Sequence, residues 1–314
     1  MLNEVIQNTS FLKIHPYFFI FMNKSNFIIM PFLFALLIAG CSQNKQQKDN
    51  QTTVANTDSE KTASGNTSAQ IMNKQEVPVL CYHRISDGPK SEYKVSQSTF
   101  QAHMKILADS GYHSVSPAQV YDYLVFNKTL PIKPVMITFD DSRIEHFAIA
   151  APILEKHGFR GVFFIMTITY NKKNYMTKEQ IAQLAKAGHT IGLHSWDHTM
   201  TTKYKDAADW QKQAVEPKKK LEQIVGKPVE YWAYPNGVFN HKATEELRKY
   251  FKLSFSLSTK RDTIFPLQTI RRIIVPECSP QVLLKAMRNN FKRHEPKEPK
   301  SNSKSLKEIK NKTL

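Results

Sequence analysis

From residue 77 onward, short apolar runs rich in β-branched and aromatic side chains alternate with stretches of helical period. Residues 77–82, 134–139, 159–166, 189–194, 230–234, 253–257 and 270–275 read as strands. Residues 100–108, 118–126, 147–156, 178–186 and 211–225 read as helices between them. Thr177-Lys178-Glu179-Gln180 is a capping-box pattern that opens one helix, and Gly188 supplies its stop. Nearly continuous apolar strands joined by helical crossovers imply parallel pairing, an α/β architecture. About seven strands suit either a barrel or an open doubly wound sheet, and in both the functional residues gather at the strand C-termini.

The N-terminal part has a different texture. Residues 27–39 form an apolar run behind Lys24 that closes in Leu37-Ile38-Ala39-Gly40-Cys41. Its length fits a signal-peptide core, since a membrane span needs about 20 residues. The closing residues resemble a bacterial lipoprotein box, in which Cys41 would take the lipid. Residues 1–41 are therefore expected to be leader and lipoprotein signal. Met22-Asn23-Lys24 would make a more usual start than Met1. Residues 42–74, poor in large apolar side chains, are expected to form a flexible tether, and residues 75–291 the folded domain. The formal charge of +17 invites a nucleic-acid role, but much of the lysine lies in residues 292–314, a basic tail read as disordered. No basic-aromatic interleaving accompanies it, so attraction to an anionic cell surface is the more economical use. Three cysteines, Cys41, Cys81 and Cys278, are too few for a disulfide scaffold. Cys81 and Cys278 could pair in an oxidising envelope or remain separate thiols.

Polar residues punctuate the strand ends. Val135-Met136-Ile137-Thr138-Phe139 runs directly into Asp140-Asp141-Ser142. Neighbours within a strand point to opposite faces, but where the chain turns both carboxylates can converge. One Asp would suffice to cap a helix; two suggest a metal ligand beside a base. His194-Ser195-Trp196-Asp197-His198 follows another apolar strand, and two histidines four apart share a face on a helical turn. Two imidazoles and one carboxylate leave coordination positions open, as catalytic metal sites do.

Thr138-Phe139-Asp140-Asp141, His194-Ser195-Trp196-Asp197-His198 and Tyr231-Trp232-Ala233-Tyr234-Pro235-Asn236-Gly237 resemble, in order, three motifs of the polysaccharide deacetylase family, the NodB-homology domains of carbohydrate esterase family four. The resemblance covers roughly residues 77–291 and implies a distorted (β/α) barrel, closed or incomplete. It implies Asp140 as general base and Asp141, His194 and His198 as ligands of a divalent metal. Zinc is the default, with cobalt, nickel or iron as alternatives. It further implies Tyr234, Pro235 and Trp232 at the substrate, and the backbone N–H of Asn236 facing the oxyanion.

The chain departs from the family pattern in four places. No late Leu-x-His motif supplies the acid; instead Val79-Leu80-Cys81-Tyr82-His83 ends an early strand in histidine. This resembles the permuted branch that includes exported poly-N-acetylglucosamine deacetylases, and makes His83 the expected acid. Ala233 stands where an arginine commonly orients the base, and Arg271 or Arg272, on the last strand, is expected to replace it, with Arg271 taken as the catalytic partner. Asn236 replaces a usual aromatic, in a role the backbone plays, and Ser142 replaces a usual glycine. The implied activity is N-deacetylation of an N-acetylglucosamine-containing polysaccharide by a monomeric, membrane-anchored lipoprotein of the cell envelope, with no nucleic acid involved. The alternatives are a peptidoglycan or O-acetyl glycan deacetylase, or a decayed glycan-binding lipoprotein.

Overall fold

The computed structural model describes residues 65–89 and 91–291. The expected leader, the Cys41 anchor, most of the tether and the basic tail lie outside these residues. Among the described residues, eight parallel strands form the principal sheet: β1 Val79–Tyr82, β2 Pro134–Phe139, β3 Val162–Ile165, β4 Thr190–Leu193, β5 Tyr231–Ala233, β6 Leu253–Ser256, β7 Ile270–Arg271 and β8 Ile273–Ile274. Spatial order runs β7-β6-β5-β4-β3-β2-β1-β8. A two-residue strand, His113–Ser114, adds to the outer end of β2.

The two ends of this order are one segment of chain. Ile270 and Arg271 pair with Phe255 and Ser256 of β6, while Ile273 and Ile274 pair with Leu80 and Cys81 of β1. The switch falls at Arg272, whose N–H donates to Ser256 O (3.1 Å), and Val275 N–H then donates to Cys81 O (3.0 Å). A single strand that changes partner midway closes the sheet into a distorted (β/α) barrel. The strand expected over residues 270–275 is thus two short strands around one hinge residue.

Alternation along the strands sorts the core into two layers. Val79, Met136, Val162, Phe164, Tyr231, Ala233, Leu253, Phe255 and Ile270 cluster together. Phe164 of β3 meets Phe255 of β6 with ring centroids 5.3 Å apart. Those strands are not neighbours, so this cluster fills the barrel interior. The alternate residues, among them Leu80, Tyr82, Ile137, Phe139, Phe163, Trp232 and Tyr234, pack outward against the helices. Gly192 pairs with Phe164, and a Cβ there would sit 2.5 Å from the Phe164 ring, so only glycine lets that ring occupy the interior.

The helices match their sequence signals closely. Lys178–Lys186 opens on the Thr177/Gln180 capping box. One boundary is different from expectation. Ser68–Met72, placed in the tether by its polar composition, is a helix with its own Thr67/Gln70 capping box. It buries Ile71, and Asn66 donates to the Val125 carbonyl (2.8 Å). A single buried apolar side chain gives too little periodicity to stand out in sequence.

Candidate active site

Inward parity places the key side chains at one end of the barrel. On β2, Met136 and Thr138 point inward, and Asp140 continues the alternation just past the strand end. Asp141 then takes φ +74° and Ser142 φ +57°, and this left-handed turn swings the second carboxylate back toward the same cleft. Ser142 is accommodated because its hydroxyl accepts from Met166 N–H (2.7 Å) and its carbonyl accepts from Met176 N–H (3.0 Å). The positive φ explains why glycine would suit this position.

Gly192 and His194 share inward parity on β4. His198 reaches His194 through a turn, not through the helical turn expected: Ser195 sits at φ +64°, His198 at φ +71°, and Ser195 Oγ accepts from His198 N–H (2.8 Å). Asp197 caps this turn by accepting from Thr199 N–H (3.0 Å). The His194 and His198 rings lie 4.8 Å apart. His194 Nδ1 hydrogen-bonds the Ala233 carbonyl (2.8 Å), which fixes that nitrogen as a donor and aims Nε2 at the cleft.

Asp141 Oδ1 lies 3.6 Å from both His194 Nε2 and His198 Nε2. Donors held about 2.0–2.1 Å from a tetrahedral zinc stand roughly 3.3–3.4 Å apart, so the three side chains fit a divalent cation with little adjustment. Burial opposes a charge on His194, but Asp140 and Asp141 outweigh it and raise its pKa above the ordinary histidine value. The cleft thus draws positive charge to the position such a cation would take.

Asp140 is 1% exposed, and its partner is Arg272, itself 3% exposed. Arg272 Nη1 and Nη2 donate to the two carboxylate oxygens at 2.7 and 2.8 Å, a bidentate pair. Burial pushes the Asp140 carboxyl up, but Arg272 and His194 more than offset it and hold its pKa well below the usual carboxylate range. The expectation of Arg271 as the partner is overturned. Inward parity from Ile270 carries Arg272 into the barrel and turns Arg271 out, where it donates to Glu76, to Thr259 O and to Asn290 O. Arg272 also fills the role left open by Ala233, entering from the closing segment instead of from β5.

His83, at the end of β1, brings Nε2 to 3.9 Å from Asp140 Oδ2. Burial lowers its pKa, with Asp140 and Asp141 opposing. Cys81 points inward beside it, its thiol donating to Asp140 Oδ2 (3.6 Å), and both Cys81 and Cys278 are free thiols. The cleft, about 300 Å³, is lined by His83, Asp140, Asp141, His194, His198 and Asn236, and also by Arg84, Tyr93, Gly237 and Leu257. Tyr93 meets the His83 ring edge-on (5.1 Å). Neither Tyr93 nor Leu257 carried a sequence signal, because each enters from a loop beyond a strand end.

Asn236, exposed at φ +57°, lines the cleft as expected. Trp232 and Tyr234 do not. Both are 0% exposed on the outward face, and Tyr234 OH donates to Gln268 O (3.0 Å). Pro235 is buried behind Asn236. The run Tyr-Trp-Ala-Tyr is apolar throughout, so its parity could not be read from the sequence.

Residues 127–251 match the family described as Polysaccharide deacetylase. The matched span includes Asp140, Asp141, His194 and His198 and leaves out His83 and Arg272. The chain is 30% identical over 185 residues to YxkH of Bacillus subtilis (strain 168), which is assigned to the polysaccharide deacetylases. That match takes in 58% of this chain and 65% of YxkH. Among solved structures, BC0361, a polysaccharide deacetylase from Bacillus cereus, is similar with a TM-score of 0.59 and 26% identity, over 68% of this chain and 69% of that one. IcaB from Ammonifex degensii is similar with a TM-score of 0.56 and 26% identity, over 70% of this chain and 98% of that one.

Proposed function

Because the chain carries a polysaccharide deacetylase domain, we propose that it is a metal-dependent hydrolase that removes N-acetyl groups from an N-acetylglucosamine-containing polysaccharide at the cell envelope. The observation that carries this reading is the single cleft in which Asp141, His194 and His198 converge beside an ionised, arginine-clamped Asp140. An intact clamp argues against a decayed site, since a binding protein has no need of a base held in this state.

Asp141, His194 and His198 would hold the cation, with zinc the first choice for this donor set. Such a cation supplies Lewis acidity, polarising the acetyl carbonyl and acidifying water. Asp140 takes the proton of the attacking water, and its salt link to Arg272 keeps it ionised and oriented for that step. Asn236 lines the cleft, and its backbone N–H would donate to the oxygen that gains charge. An amide nitrogen leaves poorly as an anion, so His83 delivers a proton to it as the C–N bond breaks. Acetate and a free amine result. The early Tyr82-His83 pair, replacing a late histidine motif, supports poly-N-acetylglucosamine over peptidoglycan or O-acetylated glycans. Envelope placement rests on Leu37-Ile38-Ala39-Gly40-Cys41, with lipid on the Cys41 thiol.

The test is acetate release from N-acetylglucosamine oligomers, O-acetylated glycan and peptidoglycan after loading with zinc. Asp140→Asn should abolish release while leaving bound metal near one equivalent. Full activity in that variant, or equal activity after chelation, would overturn the reading.

A further inference from the structure

One buried histidine takes no part in this chemistry. His146 follows the Asp140-Asp141 turn and is 0% exposed. Its Nε2 hydrogen-bonds the main-chain carbonyl of His83, so Nε2 carries the proton and donates. Nδ1 is left buried with no hydrogen-bond partner. Around the ring stand Phe139, at 5.3 Å between centroids, and Phe163, at 6.2 Å. Burial lowers the His146 pKa, which keeps the ring neutral in this slot.

The slot would suit an apolar side chain better. An unsatisfied ring nitrogen costs about 1–3 kcal/mol in desolvation, and leucine would fill similar space without it. The backbone here also winds as one wide π-type turn, His146–Ala150, a geometry found often beside functional sites. What the imidazole provides that leucine cannot is the bond to His83 O.

That bond matters because the His83 ring has little else to hold it. Its contacts among the described residues are long: Asp140 Oδ2 at 3.9 Å, Cys81 Sγ at 3.9 Å and the edge of the Tyr93 ring. Beyond His83 the chain leaves the barrel as a short strand, Arg84–Ile85, paired in parallel with Lys94–Val95. The direction of the ring is therefore set by its backbone, which the Arg84 N–H bond to Tyr93 O (3.0 Å) ties on the outer side and His146, at the start of the helix that follows both aspartates, fixes on the inner side.

We propose that His146 is a positioning residue, holding His83 at the angle from which it reaches the leaving nitrogen of the substrate. The assignment rests on His83 as the acid. It separates from a structural role by leaving group: a phenolate departs without a proton, whereas an amine needs one.

The experiment compares His146→Leu, His146→Gln and His83→Ala with the wild-type full chain, zinc-loaded, on an N-acetylglucosamine oligomer and on an aryl acetate ester. His146→Leu should lower kcat on the oligomer about 10-fold or more, with KM within about twofold and aryl acetate hydrolysis unchanged. Its melting temperature should stay within a few degrees of the wild type, because loss of the bond to His83 O offsets removal of the unsatisfied Nδ1. His146→Gln, whose amide nitrogen reaches as far as the imidazole Nε2, should restore most of the rate. Should the leucine variant fail to fold, His146→Asn, polar but too short for the carbonyl, carries the same comparison against glutamine. Retention of oligomer activity in His83→Ala would overturn the acid assignment itself. Loss there, with His146→Leu unaffected or impaired equally on both substrates, would overturn the positioning role alone.

Discussion

Replacing Arg272 with methionine, which has similar reach and no charge, should damage stability and catalysis together but for separable reasons. Asp140 and Arg272 have side chains 2% and 0% exposed, so removal of the cation leaves a carboxylate with almost no access to water. Breaking a buried pair from one side costs about 3–5 kcal/mol. For a domain of this size, each kcal/mol corresponds to roughly 2–4 °C of melting temperature, which gives a fall on the order of 6–20 °C. Asp140 would meet much of that cost by taking up a proton, because burial alone raises a carboxyl pKa by as much as about 3–5 units. A protonated Asp140 is no base, so kcat/KM for acetate release should drop by about 10²–10⁴ at neutral pH. Adding Asp140→Asn to Arg272→Met removes the stranded charge; the double variant should melt near the wild type yet remain inactive. Arg271→Ala serves as the control, since that side chain faces Glu76 and should leave activity within about threefold. Thermal melts and acetate release on all four proteins decide the matter. An Arg272→Met variant within about threefold of wild-type activity, or a double variant no more stable than the single one, would refute the electrostatic account.

Metal analysis of His194→Ala and Asp141→Asn should show less than about a tenth of the wild-type content, as each removes one of three donors; unchanged content would place the cation elsewhere. Gly192→Val should misfold or lose about 3 kcal/mol or more, because the added carbons collide with the Phe164 ring; a wild-type melt would exclude that contact. His103 is buried and its pKa is lowered, first by burial, while Nδ1 accepts from Tyr82 OH (3.1 Å) and Nε2 donates to Cys278 O (2.9 Å). With a folded pKa below the unfolded value of about 6.5, the unfolded chain binds the extra proton, so stability should fall as pH drops below that point and hold above it. Urea midpoints at pH 7.5 and 5.5 should differ less in His103→Gln than in the wild type, and an equal difference would remove His103 as the cause. Cys41→Ser should abolish incorporation of labelled fatty acid, and retained label would rule out that thiol as the anchor.

The barrel and its catalytic end are legible because both are written as alternation. Continuous apolar strands end in Asp140, His194 and His83, and the parity that buries Met136 and Thr138 carries Asp140 inward. Parity fails where apolar residues do not alternate. Ile270, Ile273 and Ile274 give no consistent face, so Arg271 and Arg272 are equivalent in sequence, and only the place of Ile270 inside the barrel separates them. The same ambiguity directs Trp232 and Tyr234 to the cleft, when they pack behind it. The His194–His198 spacing points to the right pair through the wrong backbone, because a left-handed Ser195 brings the rings together as well as a helix would. Tyr93 depends on how a loop folds back across the mouth, which no local pattern encodes.

The residue that sustains the base sits where the final strand changes partners, and this ties chemistry to the order of synthesis. A ribosome delivers Asp140, Asp141, His194 and His198 well before it delivers Arg272, so a nascent chain holds all three candidate metal ligands while the Asp140 carboxylate still lacks a counter-ion. Only when the last staves are seated between the first and the sixth does the barrel close and the buried carboxylate gain its counter-ion. A chain clipped before residue 272 would keep the candidate ligands yet lack the cation that pairs with Asp140.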